Sequence, residues 1–166
     1  MDIDVLFQDL YPALYRYLHR LTGDADEAED VAQESFVRLL RQSLPEEEAR
    51  PWLFTVATNL VRDRARKRQR HLRLSDSVPG PTREERPDVS AERADRIQRV
   101  RAALAEVPER DRMLLMMREE GFKYDEIARI IGVAPGSVGT LLSRALRRFA
   151  DVYREQNEVE DVDDAR

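Results

Sequence analysis

The stretch PWLFTVATNLVRDRARKRQR, residues 51–70, changes character at its midpoint. Trp52, Leu53, Val56, Ala57 and Leu60 recur at steps of three and four, which places them on one stripe of a helix. Beyond Val61 the apolar pattern stops and arginines take over, so this helix is expected to begin in a core and end in solvent or on a ligand. Toward the N-terminus the same period recurs. A helix over residues 4–21 carries Leu6, Leu10, Leu14, Tyr17, Leu18 and Leu21, and Gly23 ends it. Asp24 opens the next, with Glu27 three positions on and Asp26, Glu29 and Asp30 placed where the helix dipole favours anions. That helix is expected to reach about residue 42 with Ala28, Val31, Ala32, Phe36, Leu39 and Leu40 inside, and the third to start near residue 49 with Pro51 in its first turn.

Downstream, residues 75–89 read SDSVPGPTREERPDV, a proline-rich stretch with almost no apolar content, hence a linker. A helical pattern resumes near Ser90 through Ile97, Val100, Ala103, Leu104 and Val107. Pro108 restarts the chain, and Met113, Leu114, Met116 and Met117 read as core filling up to Gly121. Ile127, Ala128, Ile130 and Ile131 then make a short helix, Gly132 and Val133 a turn, and Pro135 opens a longer helix bearing Val138, Leu141, Leu142, Ala145, Leu146 and Phe149. This pattern fits a helix-turn-helix, or a plain helical hairpin in a bundle. No stretch alternates with the period of a strand. The expected fold is all-α: two small helical modules joined by a flexible linker, the second containing the helix-turn-helix. Module boundaries fall at 1–74, 75–89 and 90–154, with an irregular acidic tail at 155–166.

The 166 residues carry a net charge of −5, which conceals a sharp segregation. The first 50 residues hold 12 acids against 5 bases, and residues 155–166 hold 6 acids against 1 base. Residues 62–73 hold 7 bases against 1 acid. A local cationic surface for a polyanion beside an acidic surface for a different partner explains this better than one uniform surface does. There is no cysteine, and His19 and His71 stand outside any metal-ligand spacing. Neither a glycine-rich phosphate loop nor the order of a hydrolytic triad is visible, so no enzyme activity, metal or cofactor is expected. No apolar run approaches the roughly 20 residues that span a bilayer, and the first residues are acidic. No membrane insertion and a cytoplasmic location are expected.

Arg62, Arg66 and Arg70 fall at steps of four and can follow a phosphate backbone. Asn59 suits either a base edge or a local cap, and Trp52 suits the core better than a base platform. In the second module Pro135, Gly136, Ser137 and Thr140 would stand nearest the bases of a major groove. Arg144, Arg147 and Arg148 lie further along; they would meet phosphates, or for the last two form a solvated face.

These residues together resemble the extracytoplasmic-function sigma factors, bacterial transcription initiation factors. DADEAEDVAQESFVRL, residues 24–39, looks like the family's polymerase-binding segment; PWLFTVATNLVRDRARKR, residues 51–68, looks like its promoter-melting and minus-ten helix. Residues 104–149, with Pro108, Glu126-Ile127-Ala128 and Gly136-Ser137-Val138, are similar to its minus-35 region. The resemblance implies that Asp30, Gln33, Glu34 and Phe36 meet the clamp helices of core RNA polymerase, although Phe36 also fits the core. It implies that Asn59, Arg62, Asp63, Arg66 and Arg70 capture the opened minus-ten strand, and that Ser137, Thr140, Arg144 and Arg147 read the minus-35 duplex of promoter DNA. An anti-sigma factor is implied as a further partner. One departure stands out. Gly139, Thr140 and Leu141 occupy positions where the family usually has Lys or Arg, Ser, and Arg, so two positive charges are missing. Gly139 is expected to let the backbone approach DNA or a protein closely. The acidic tail is expected to fold back on the basic helix. A repressor or activator that binds duplex DNA without polymerase, and an adaptor that has lost promoter binding, are the rival readings. A repressor has no use for an acidic helix followed by a strand-capturing basic one.

Overall fold

The computed structural model describes residues 2–74 and 90–163, with side chains up to residue 158. Seven helices and one 3₁₀ turn make up the regular structure among the described residues, and the chain divides into two compact units. The expected linker, residues 75–89, lies outside the described residues.

The first unit holds α1 (Ile3–Thr22), α2 (Ala25–Leu39) and α3 (Glu46–Leu72). Asp2 caps α1 by accepting from the N–H groups of Asp4 and Val5, and Gly23 ends it in the left-handed conformation, φ 71°, its N–H donating to the carbonyl of His19. The turn into α2 is fixed twice. The Asp24 carboxylate accepts from Glu27 N–H at 3.1 Å, and the Thr22 hydroxyl accepts from Asp24 N–H at 3.2 Å. Leu14, Leu18, Val31, Leu39, Leu53 and Phe54 are fully buried between the three helices. Tyr17 and Thr58 bring their polarity into this core already paired, hydroxyl to hydroxyl at 2.9 Å, while Thr58 also donates to the carbonyl of Phe54.

Two boundaries and one buried face differ from the sequence reading. Helix α2 stops at Leu39, where the following turns rotate Leu40 outward to 57% exposure instead of into the core. Helix α3 starts at Glu46 because Glu46, Glu47 and Glu48 suit a helix N-terminus, so Pro51 sits in the second turn. Trp52 and Val56 are half-buried, displaced from the inner stripe by Phe54, Thr58 and Val61.

The second unit holds α4 (Ala91–Glu106), α5 (Glu109–Glu119), most of α6 (Tyr124–Ile131), a 3₁₀ turn (Pro135–Ser137) and α7 (Val138–Asp163). Ser90 caps α4, and the Glu126 carboxylate reaches back to Lys123 N–H at 2.8 Å at the head of α6. Gly121 and Gly132, both with positive φ, close the turns after α5 and α6. The core contains Ala103, Val107, Met113, Leu114, Met117, Phe122, Ile127, Val138 and Ala145, with α7 packed along both α4 and α5. The methionines fill space as expected. Leu146 does not; it is exposed. The irregular tail from residue 155 is also corrected. Helix α7 continues to Asp163 because Phe149, Val152, Tyr153 and Gln156 extend a half-buried stripe, with the rings of Phe149 and Tyr153 5.9 Å apart. Glu155 and Glu158 therefore ride on a helix.

Candidate nucleic-acid interface

Helix α3 has two arginine rows. One consists of Arg62, Arg66 and Arg70 and continues the line of Asn59 and Asp63; Asn59, Asp63, Arg66 and Arg70 are exposed and Arg62 is half-buried. Every sequence-predicted minus-ten residue thus lies on one outward stripe. Within it Asp63 pairs with Arg66 at 3.5 Å, both well exposed. Thr58, one step off this stripe, is turned into the core and takes no part.

The second row was not foreseen. Arg64 donates to Glu34 Oε2 at 3.2 Å, and Arg68 donates to Glu27 Oε2 at 2.5 Å, so these two arginines lash α3 to α2. Glu27 is only 8% exposed, and its Oε1 has no hydrogen-bond partner among the described residues. Acids seven apart on α2 opposite arginines four apart on α3 were the available signal; nothing in the sequence alone says which faces meet.

On α2, Asp30 and Gln33 are exposed and Glu34 is half-buried, so these three predicted polymerase contacts share an accessible surface. Gln33 donates to Glu29 at 3.1 Å. Partial burial acts to raise the Glu34 pKa, but hydrogen bonds and charge from Arg38 and then Arg64 overcome it and hold the carboxyl below its ordinary range. Phe36 behaves differently. It is 6% exposed and packs against the rings of Phe7 and Tyr11 at 4.8 and 6.2 Å, so it supports the surface from beneath instead of forming it. Phe7, Tyr11, Tyr15 and His19 stack successively along α1, a four-residue aromatic spacing that the sequence reading passed over. Burial first, then the charge of Glu29, pushes the Tyr11 hydroxyl up.

In the second unit Ser137, Thr140, Arg144 and Arg147 are all exposed and follow steps of three and four, one outward stripe from the 3₁₀ turn onto α7. Arg148 departs from it. Its guanidinium binds Asp111 Oδ2 at 2.5 Å, and Asp111 is buried, so this arginine joins α7 to α5. Gly139 also faces away from the stripe. A Cβ there would stand 3.5 Å from Tyr124 Cε2, ordinary contact distance, so the missing side chain faces α6 and not a groove-filling ligand. The expected close approach to DNA at Gly139 is corrected accordingly.

The fold and its surfaces define a two-module helical protein with a separate basic helix in one unit and a helix-turn-helix in the other. Comparison with known proteins agrees. Residues 6–71 match the family model of sigma-70 region 2, and residues 97–149 match that of sigma-70 region 4. The chain is 35% identical over 158 residues to the ECF RNA polymerase sigma factor SigL of Mycobacterium tuberculosis, covering 90% of this chain and 88% of that one. It is 33% identical over 143 residues to the ECF RNA polymerase sigma factor EcfG of Rhodopseudomonas palustris, covering 84% and 78%. The fold matches the sigma factor RpoE of Bartonella quintana, solved in complex with the anti-sigma factor NepR, with a TM-score of 0.74 over 92% of this chain and 97% of that one at 24% identity. The chain belongs to the sigma-70 family, among its extracytoplasmic-function members. Its function is the family's: promoter recognition for the initiation of transcription. Among the described residues no helix is long and apolar enough to cross a membrane.

Proposed function

We propose that the two outward stripes divide promoter recognition between them. Asn59, Arg62, Asp63, Arg66 and Arg70 hold the opened minus-ten strand, the arginines on phosphates and Asn59 at a base edge. Ser137 and Thr140 stand at the bases of the minus-35 duplex, with Arg144 and Arg147 on its backbone. Asp30, Gln33 and Glu34 form the surface that core RNA polymerase engages, with Phe36 holding α2 against α1 behind them. Opening then needs no catalytic group in this chain. Each single strand captured on α3 is withdrawn from the duplex equilibrium, so binding energy shifts promoter DNA toward the open form. The chain acts as a non-enzymatic factor in the cytoplasm, beside the polymerase. Like the Bartonella protein, which was solved with an anti-sigma factor, it is held in check by such a partner, and an inhibitor that excludes polymerase has to cover the α2 surface.

The observation that carries this reading is the single exposed line of Asn59, Asp63, Arg66 and Arg70 on a helix whose opposite side is core and ion-paired to α2. Run-off transcription with purified core polymerase tests it. Transcripts from a subset of genomic promoters, lost in Arg66→Gln/Arg70→Gln, are the expected result; no stimulation on any promoter would overturn it in favour of the adaptor.

A further inference from the structure

The outward line of α7 does not end with its arginines. Thr140, Arg144 and Arg147 are continued at steps of three and four by Asp151, Arg154, Glu155 and Glu158, all of them exposed. The sign of the face reverses within one turn. From 137 to 147 the line carries two guanidinium groups and no acid; from 151 to 158 it carries three carboxylates against Arg154, which Asp151 already engages at 3.6 Å. These acids are held in place, not strung on a loose end. The half-buried stripe of Phe149, Val152, Tyr153 and Gln156 keeps α7 regular beneath them, and the Asn157 amide donates to the carbonyl of Tyr153 at 2.6 Å. They also lie past residue 149, where the match to sigma-70 region 4 ends.

A helix of 26 residues is about 39 Å long, whereas the major groove is about 12 Å wide. Two seatings on a duplex therefore ask different things of the second half. Where α7 enters the groove end-first, Ser137 and Thr140 reach the bases, Arg144 and Arg147 meet the walls, and residues 151–158 stand off the DNA. Where α7 lies lengthwise against the backbone, the whole line comes up to phosphates, and the carboxylates are driven into the field that the arginines seek. Base contacts fix the first seating only at a proper site; elsewhere binding rests on phosphates alone, and the seating that gathers most of them wins.

We propose that Asp151, Glu155 and Glu158 are specificity-determining residues: they repel the phosphate backbone in the lengthwise seating, and so suppress binding to duplexes that lack a minus-35 element at little cost to the end-first seating. Discrimination then comes from a repulsive element built into the reading face, not from an added contact. The inference rests on the reading given above, that the outward line of α7 meets the minus-35 duplex.

The test is fluorescence anisotropy of the full-length chain with two labelled duplexes of equal length, one carrying the minus-35 segment of a promoter transcribed in the run-off assay and the other a scrambled version. Asp151→Asn/Glu155→Gln/Glu158→Gln should tighten binding to the scrambled duplex about tenfold at low salt and to the promoter duplex about twofold, with the difference fading as salt rises. Glu155→Gln/Glu158→Gln, which leaves the Asp151–Arg154 pair intact, should act in the same direction with a smaller gain. A gain confined to the triple variant would assign the effect to a freed Arg154 and overturn the proposal. The same charge change at exposed positions of α4, Glu92→Gln/Asp95→Asn/Glu106→Gln, should move both duplexes alike and keep their ratio. Equal gains on the two duplexes in the α7 variant, or an equal loss of discrimination in the α4 variant, would make the acids a matter of net charge and overturn the proposal, as would an α7 variant without effect. A wild-type chain that does not tell the duplexes apart overturns it too, because there is then no preference to protect. Arg144→Gln/Arg147→Gln reports on the underlying reading separately. If it leaves both duplexes unaffected, the outward line does not meet DNA; if it weakens binding while the acid variants are silent, only the present proposal fails.

Discussion

Helix α3 runs for 27 residues and α7 for 26, and each carries arginines on both an inner and an outer side. On α3 the inner arginines, Arg64 and Arg68, meet two acids of α2, and the outer line holds Arg62, Arg66 and Arg70. On α7 one arginine, Arg148, is tied to the buried Asp111, and the outer line mixes Ser137 and Thr140 with Arg144 and Arg147. With Asp63 on the first line both carry a net charge of +2, so the surfaces differ in make-up: three arginines with Asn59 and a carboxylate against two arginines with two hydroxyls. A line of guanidinium groups suits a flexible strand whose phosphates must be held wherever they lie. A line of two small hydroxyls followed by two arginines suits a preformed duplex, where short polar groups reach base edges and the cations need only fix the register. The same comparison shows that an arginine's place in the helical period, not its presence in a basic run, decides whether it serves the fold or a ligand.

The largest effect is expected where an arginine serves the fold. Asp111→Ala should lower the stability of the protein by about 2 kcal/mol in urea unfolding, the range for a hydrogen bond between charged groups, because Arg148, 55% exposed, can return to water and no buried charge is left unpaired. Specific duplex binding should survive in conditions where the variant is folded. If stability is unchanged and duplex affinity falls instead, Arg148 belongs to the outer line and the division drawn on α7 is wrong.

On the outer line of α3, Arg66→Gln/Arg70→Gln should weaken single-strand binding roughly tenfold at low salt and reduce the salt slope by about 1.4, two contacts on a single strand. Thermal unfolding should move little, since both side chains are exposed. A loss of stability comparable to that of Asp111→Ala would erase the distinction between the two sides of the helix.

Gly139→Ala tests the second unit in the opposite direction. Its Cβ would rest 3.5 Å from Tyr124 without forcing a shift, and the helical backbone gains propensity, so stability should rise by up to about 1 kcal/mol with duplex affinity unchanged. A fall in duplex affinity would return Gly139 to the DNA-facing side.

The outward stripes were legible in the sequence because period is a local property: 59, 63, 66 and 70, or 137, 140, 144 and 147, share a face of any helix that contains them. The caps at Asp24 and Gly23 and the core methionines were legible for similar reasons of local chemistry. What the sequence left open depended on how elements meet. Arg64 and Arg68 find Glu34 and Glu27 only once α3 is laid along α2 at one rotation. Phe36 became core because Phe7 and Tyr11 of another helix cover it, and Gly139 turned from the groove because Tyr124 stands beside it. In the last turns of α7 the signal was present at Phe149, Val152, Tyr153 and Gln156, but acidic composition outweighed it in the reading.

The smallest effect concerns the exposed pair between α2 and α3, Glu34 with Arg64. Because Arg38 and Arg64 hold the Glu34 carboxyl below its ordinary range, the folded state favours the ionised form more than the unfolded chain does. The resulting stabilisation is fully present above the ordinary glutamate pKa, about 4.3, and disappears as pH falls through the lower folded-state value. With Glu34 38% exposed, solvent screening limits it to a few tenths of a kcal/mol. Glu34→Gln should therefore be slightly less stable than the wild type at neutral pH and indistinguishable from it in acid below the Glu34 transition, while high salt should shrink the neutral-pH difference. A gap of several kcal/mol at neutral pH would mean that Glu34, like Glu27, is a structural pin. The two pairs that join α2 to α3 would then have to be regarded as one clasp.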